Sequence, residues 1–175
     1  MKKIINVTDI TGYLYCPRKI YLKLVKGLKS PPNQAMILGF LKHKVFDVFN
    51  KNEISIVSSI NENLTKPEIL DLYEQNIRKL ILEIINNYSN MIYKFKISKE
   101  DLTQQTLEFF KKGLSIRADS IINTINLGYK GKELWRNLKP KFLTEFQIES
   151  EQLGLKGRID RIEFQEIPIP YEIKT

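Results

Sequence analysis

The hydrophobic period of this chain switches once, near residue 141, from helical to strand-like, and that switch restricts the fold to helices followed by a sheet. Before it, apolar residues recur at helical spacing. Thr8 is the N-cap expected for a helix over residues 9–15. Pro17 suits the first turn of a second helix, Arg18 to Val25, where its missing N–H is not needed. Residues 34–51 predict a third helix, with Ile37, Leu41, Val45 and Val48 on one stripe and Met36, Phe40 and Phe46 on an adjoining one. Gly39 and His43 lie on that second stripe, one turn apart. A long helix is expected from about Pro67 to Tyr93, and another, capped by Ser98, to about Asn126. Gly128 and Gly131 break the pattern.

After the switch, the run from Lys141 to Glu149 alternates apolar and polar residues, as a half-buried strand does. Leu155 to Phe164 predicts a second strand and Tyr171 to Thr175 a third, with Gly154 and then Pro168 and Pro170 at the turns. Connections this short favour an antiparallel meander. The expectation is a mixed α/β fold: one domain over residues 1–175, with a small, mainly antiparallel sheet behind a helical front half. The subdivisions are 1–51, 52–140 and 141–175. The last strand runs to the final residue, and a bare sheet edge is a liability. The chain therefore reads as the front part of a longer protein, or as one that a partner completes.

Charge narrows the partner. The chain carries a net charge of +8, with a pI near 9.4. Residues 1–51 hold ten Lys or Arg against only Asp9 and Asp47, so the whole excess sits there. Such an excess favours a polyanion, above all nucleic acid. Arg18, Lys19, Lys23, Lys26 and Lys29, with Tyr13, Tyr15 and Tyr21, form a basic and aromatic patch. It suits phosphates and unpaired bases, or else it is a solvated helix face. No apolar run approaches the ~20 residues of a membrane span. No signal peptide is visible, so a cytoplasmic location is expected.

Asp160 is followed by Glu172-Ile173-Lys174. On a strand, Glu172 and Lys174 share a face, and a hairpin return brings Asp160 beside Glu172. Two close carboxylates are best satisfied by a divalent cation, and a neighbouring lysine can orient a water or stabilise charge on phosphate. The bland alternative is a surface Asp and a cross-strand Glu–Lys pair. His43 taken alone is more often a core histidine than a ligand.

The motifs together point further. The Tyr15-Cys16-Pro17-Arg18 segment resembles the N-terminal Cys-Pro-Arg segment of Cas4 proteins, and Gly39 to His43 resembles their Gly-x-x-x-His helix. Glu145 and Glu149 lead into Gly157-Arg158-Ile159-Asp160, which resembles their Gly-x-x-Asp strand, and Glu172-Ile173-Lys174 resembles their Glu-x-Lys strand. All four occur in the family's order, with no motif over residues 52–140.

The resemblance implies a restriction-endonuclease-like PD-(D/E)xK core and a DNA exonuclease activity on single-stranded or overhanging DNA. His43, Asp160, Glu172 and the Ile173 carbonyl would hold Mg²⁺ or Mn²⁺, the imidazole favouring Mn²⁺. Asp160, Glu172 and Lys174 would be catalytic, with Lys174 as the catalytic lysine. Cys16 would be one ligand of a 4Fe–4S cluster, which takes four thiolates, only if further cysteines follow residue 175. The implied setting is CRISPR spacer acquisition beside the Cas1–Cas2 integrase. A RecB-like repair nuclease would share the same catalytic residues. A non-catalytic nucleic-acid-binding or assembly module on the same fold is the competing reading.

Overall fold

The structure, a computed structural model, describes residues 4–164 and 166–172. A short strand, β1 (Ile5–Asn6), leads into α1 (Val7–Tyr15) and α2 (Pro17–Leu24). There follow α3 (Gln34–Ser58), α4 (Lys66–Asn87), α5 (Ser89–Lys94), α6 (Lys99–Asn126) and α7 (Gly131–Asn137). The sheet is completed by β2 (Lys141–Ser150), β3 (Leu155–Phe164) and β4 (Ile169–Tyr171). This is the mixed α/β fold with a helical front half that the change of period predicts.

Local signals start the long helices where the sequence places them. The Asn33 side chain accepts from Met36 N–H at 2.9 Å ahead of α3. The Glu68 carboxylate accepts from Thr65 N–H at 2.7 Å ahead of α4, and Ser98 Oγ accepts from Asp101 N–H at 3.0 Å ahead of α6.

The ends depart more. The structure carries α3 seven residues beyond the expected end at residue 51, because Ile56 and Val57 are buried. Glu53 hides this continuation. It occupies a core-facing position, so the apolar stripe looks interrupted, yet its carboxylate is held by Arg117. The helix expected to reach Tyr93 divides at Tyr88 into α4 and α5. Asn86, Asn87, Ser89 and Asn90 flank that point, and such side chains compete with helical backbone bonds. Gly131 begins a helix rather than only breaking one. It adopts φ +54, its N–H reaches Ile60 O at 2.7 Å, and a Cβ there would lie 2.9 Å from Asn61 Oδ1.

The core lies among α3, α4, α6 and α7. Leu41, Val45, Ile77, Ile81, Leu102, Ile121 and Leu134 are sealed from solvent. Phe46, Phe49, Phe109 and Phe110 interlock edge-on or tilted near Tyr73. Within this core, Arg117 Nε and Nη2 donate to the two oxygens of Glu53 at 2.6 and 3.0 Å, and Tyr73 Oη donates to Glu53 at 2.8 Å. Burial pushes the Tyr73 hydroxyl pKa up. Arg117 Nη1 also reaches Pro140 O at 2.7 Å, so one buried ion pair joins α3, α4, α6 and the start of β2.

The sheet is built around β3. Antiparallel β2 pairs along its length, from Lys141 opposite Phe164 to Ser150 opposite Leu155. On the other edge of β3, β1 runs parallel beside Leu155 and Lys156, and β4 runs antiparallel beside residues 161–163. The antiparallel meander thus holds, with a two-residue parallel strand added at the edge, but its last strand starts earlier than expected: Pro170 lies within β4 opposite Ile162 rather than in the turn, and residues 173–175 fall outside the described residues. Gly157 lies beneath α1: a Cβ at that position would sit 3.2 Å from Val7 Cγ2. The helix therefore crosses the strand closely just ahead of Asp160.

Candidate metal centre and nucleic-acid interface

His43 is carried by α3, and Asp47 follows it one turn later on the same face. Both face β2. Thr144 Oγ1 donates to Asp47 Oδ1 at 2.9 Å, while Glu145 Oε1 lies 4.0 Å from His43 Nδ1. Consecutive residues of a regular strand point to opposite faces. Here both reach one helix because Glu145 adopts φ +55, a left-handed conformation that costs a non-glycine residue of order 1–3 kcal/mol. Asp47 is fixed in turn, since Lys51 Nζ donates to its second oxygen at 2.7 Å.

Asp160 completes the group. The β2–β3 register pairs Thr144 with Arg161 and Phe146 with Ile159, which sets Glu145 opposite Asp160. One ligand-type atom from each of His43, Glu145 and Asp160 lies within 4.8 Å of the others, all half-buried. One imidazole nitrogen and two carboxylates fit a divalent cation, and the nitrogen suits Mn²⁺ better than Mg²⁺.

Glu172 falls next to the group along the strand. The β3–β4 register pairs Arg161 with Tyr171, and its continuation sets Glu172 beside Asp160. Glu172 is exposed and borders a cavity of about 580 Å³ walled by Phe46, Phe49, Phe110 and Phe142. It is not one of the three clustered groups. The Arg161 guanidinium stacks 3.6 Å from the Phe142 ring centroid at the edge of this cavity. Ile173 and Lys174 lie outside the described residues.

Glu145 is the site residue that hydrophobic period conceals. It stands at the polar phase of the β2 alternation, which directs it to solvent, and only its left-handed backbone turns it to α3. Arg158, within the Gly-x-x-Asp segment, is the second: its Nε pairs with Glu145 Oε2 at 2.7 Å.

The basic patch is carried by α1, α2 and the segment after them. Tyr13, Tyr15 and Tyr21 are exposed, Tyr15 to 90%. Arg18, Lys19, Lys26 and Lys29 are exposed and make no ion pair among the described residues. Lys26 Nζ lies 5.9 Å from the Tyr21 ring centroid. Lys23 differs. It donates to the buried Asp9 carboxylate and holds the Asp9 pKa below the ordinary carboxylate range, so its charge ties α2 to α1. Cys16 is a half-buried free thiol between α1 and α2. It is the sole cysteine of the 175 residues, which by themselves cannot supply the four thiolates of a 4Fe–4S cluster.

Residues 2–162 match the family model described as DNA replication factor Dna2. The chain belongs to the Dna2 family. Membership points to a DNA-processing, nuclease-related function, which agrees with the excess of basic charge in residues 1–51. The Dna2-family match includes His43, Glu145, Arg158 and Asp160. No curated protein and no solved structure matches the chain. Among the described residues, no helix is long and apolar enough to cross a membrane.

Proposed function

We propose that this chain is a metal-dependent deoxyribonuclease that hydrolyses phosphodiester bonds of single-stranded or overhanging DNA. The observation that carries this reading is the convergence of His43, Glu145 and Asp160 from three elements onto one point. These three would hold Mg²⁺ or Mn²⁺. Glu172 and the Ile173 carbonyl would add ligands from the neighbouring strand. When bound, the ion would polarise the scissile phosphate and offset its charge.

The chain's own residues do the rest. Asp160 and Glu145 bring negative charge to the site, and the α3 backbone sets His43 against the sheet. Lys174, two residues beyond Glu172, would share its face on a continued strand. There it would orient the attacking water or stabilise charge developing on the phosphate. Arg18, Lys19, Lys26 and Lys29 would follow the DNA backbone, with Tyr13, Tyr15 and Tyr21 offering faces on which unpaired bases stack.

The four motifs shared with Cas4 proteins extend the reading to trimming of spacer precursors in CRISPR adaptation, in the cytoplasm beside Cas1–Cas2. A RecB-like repair nuclease would use the same residues. Co-purification with Cas1–Cas2 separates the two roles.

The deciding experiment is Mn²⁺-dependent cleavage of labelled single-stranded and overhang DNA by wild type, Asp160→Ala and Lys174→Ala. The proposal expects both variants to lose cleavage while keeping DNA binding. Wild-type binding without cleavage, in this chain and in any longer natural form, would instead make it a non-catalytic binding module.

A further inference from the structure

Glu145 lies between two groups. Its Oε1 is turned to His43 Nδ1, 4.0 Å away, and its Oε2 takes an ion pair from Arg158 Nε at 2.7 Å. Arg158 and Asp160 are two residues apart on β3 and so share a face. The register sets Asp160 directly opposite Glu145 and Arg158 opposite Gln147. Arg158 therefore reaches Glu145 along the diagonal of the strand pair. The two oxygens of one carboxylate are divided, one toward the candidate ligands and one toward a guanidinium.

We infer that Arg158 is a positioning residue. It anchors Glu145 through Oε2 and so directs Oε1 into the group formed with His43 and Asp160. This rests on the metal-dependent nuclease reading. A glutamate side chain has three torsions to order when it binds an ion, and an anchor that orders them beforehand lowers that cost. Glu145 needs one especially, because its left-handed backbone leaves the pleat that would otherwise fix its direction. Groups that hold a metal-ligating side chain from behind typically contribute about 10–100-fold in metal affinity. A bare electrostatic view gives the opposite sign, since a guanidinium near a cation repels it. The two accounts are thus separable by the direction of one change.

The test is Mn²⁺ titration of the full chain by calorimetry, without DNA. Wild type is compared with His43→Ala, Glu145→Ala, Arg158→Ala, Arg158→Lys and the Glu145→Ala/Arg158→Ala double variant. We expect Arg158→Ala to weaken Mn²⁺ binding by about 10-fold or more. Arg158→Lys should recover part of the loss, since a single cation still reaches Oε2. In the Glu145→Ala background, Arg158→Ala should cost nothing further, because its effect passes through that carboxylate. The Arg158→Ala melting temperature should stay within about 2 °C of wild type, since the arginine side chain it removes is exposed. Unchanged or tighter binding in Arg158→Ala, or an additive loss in the double variant, overturns the positioning role while leaving the metal site standing. Wild type that fails to bind Mn²⁺, or binds it as well without His43, removes the metal site and the inference together.

Discussion

Glu145 combines two demands at one position. Its φ of +55 is strained for a glutamate and easy for a glycine. Glu145→Gly should therefore leave the melting temperature equal to or above wild type while weakening Mn²⁺ binding as much as Glu145→Ala does. A variant that both melts lower and keeps the metal would show that Glu145 is structural. Asp9 poses a different problem, a buried carboxylate tied to Lys23. The hydrogen bond from Lys23 lowers the Asp9 pKa in the folded chain relative to the unfolded one. The pair's stabilisation is therefore complete above the ordinary Asp pKa of about 3.9 and is lost as pH falls through the lower folded value. Acid denaturation followed by circular dichroism should show a shallower stability loss on that limb for Asp9→Asn than for wild type. The variant should be less stable at neutral pH.

At the level of elements, the position of β2 against α3 decides whether a site exists at all. Thr144 bonded to Asp47 fixes the strand one residue from Glu145. Asp47→Ala removes that tie and should weaken Mn²⁺ binding although the Asp47 carboxylate is not one of the three clustered groups. Titration of a folded variant would show this directly. The Glu53–Arg117 pair plays the corresponding part for the helices, joining α3 to α6 and reaching the residue before β2. Arg117→Ala strands the buried Glu53 carboxylate and should cost about 3–5 kcal/mol in urea denaturation. Replacing both partners by apolar residues of similar volume should cost far less, since no charge is then left buried without a partner.

Across the whole molecule, the basic charge is gathered in the first third of the chain and the candidate metal group lies where that third meets the sheet. Both acidic residues of the segment are engaged there, Asp9 by Lys23 and Asp47 by Lys51. The cations left on the surface are those expected to meet phosphate. Replacing Arg18, Lys19, Lys26 and Lys29 by Gln should reduce the slope of log affinity for single-stranded DNA against log salt by roughly 3. Fluorescence anisotropy at several salt concentrations measures that slope. An unchanged slope would place the DNA elsewhere. Lys23→Ala should act mainly on thermal stability instead.

The sequence by itself determined the order of the elements and the mixed α/β class, and it pointed to two members of the candidate metal group. Period, caps and turn residues are local properties, and His43 and Asp160 stand in segments that resemble Cas4 motifs. It was ambiguous where polar residues sit on buried faces. Glu53 concealed the end of α3, and the Asn- and Ser-rich stretch concealed the break between α4 and α5. The two-residue β1 is too short to show any period. Only the tertiary structure brought Glu145 and Arg158 into the site. Strand alternation assigns Glu145 to solvent, and its actual direction depends on one left-handed residue and on the register between β2 and β3. Backbone conformation at a single residue and pairing across a sheet depend on contacts between distant segments, which periodicity along one segment does not encode.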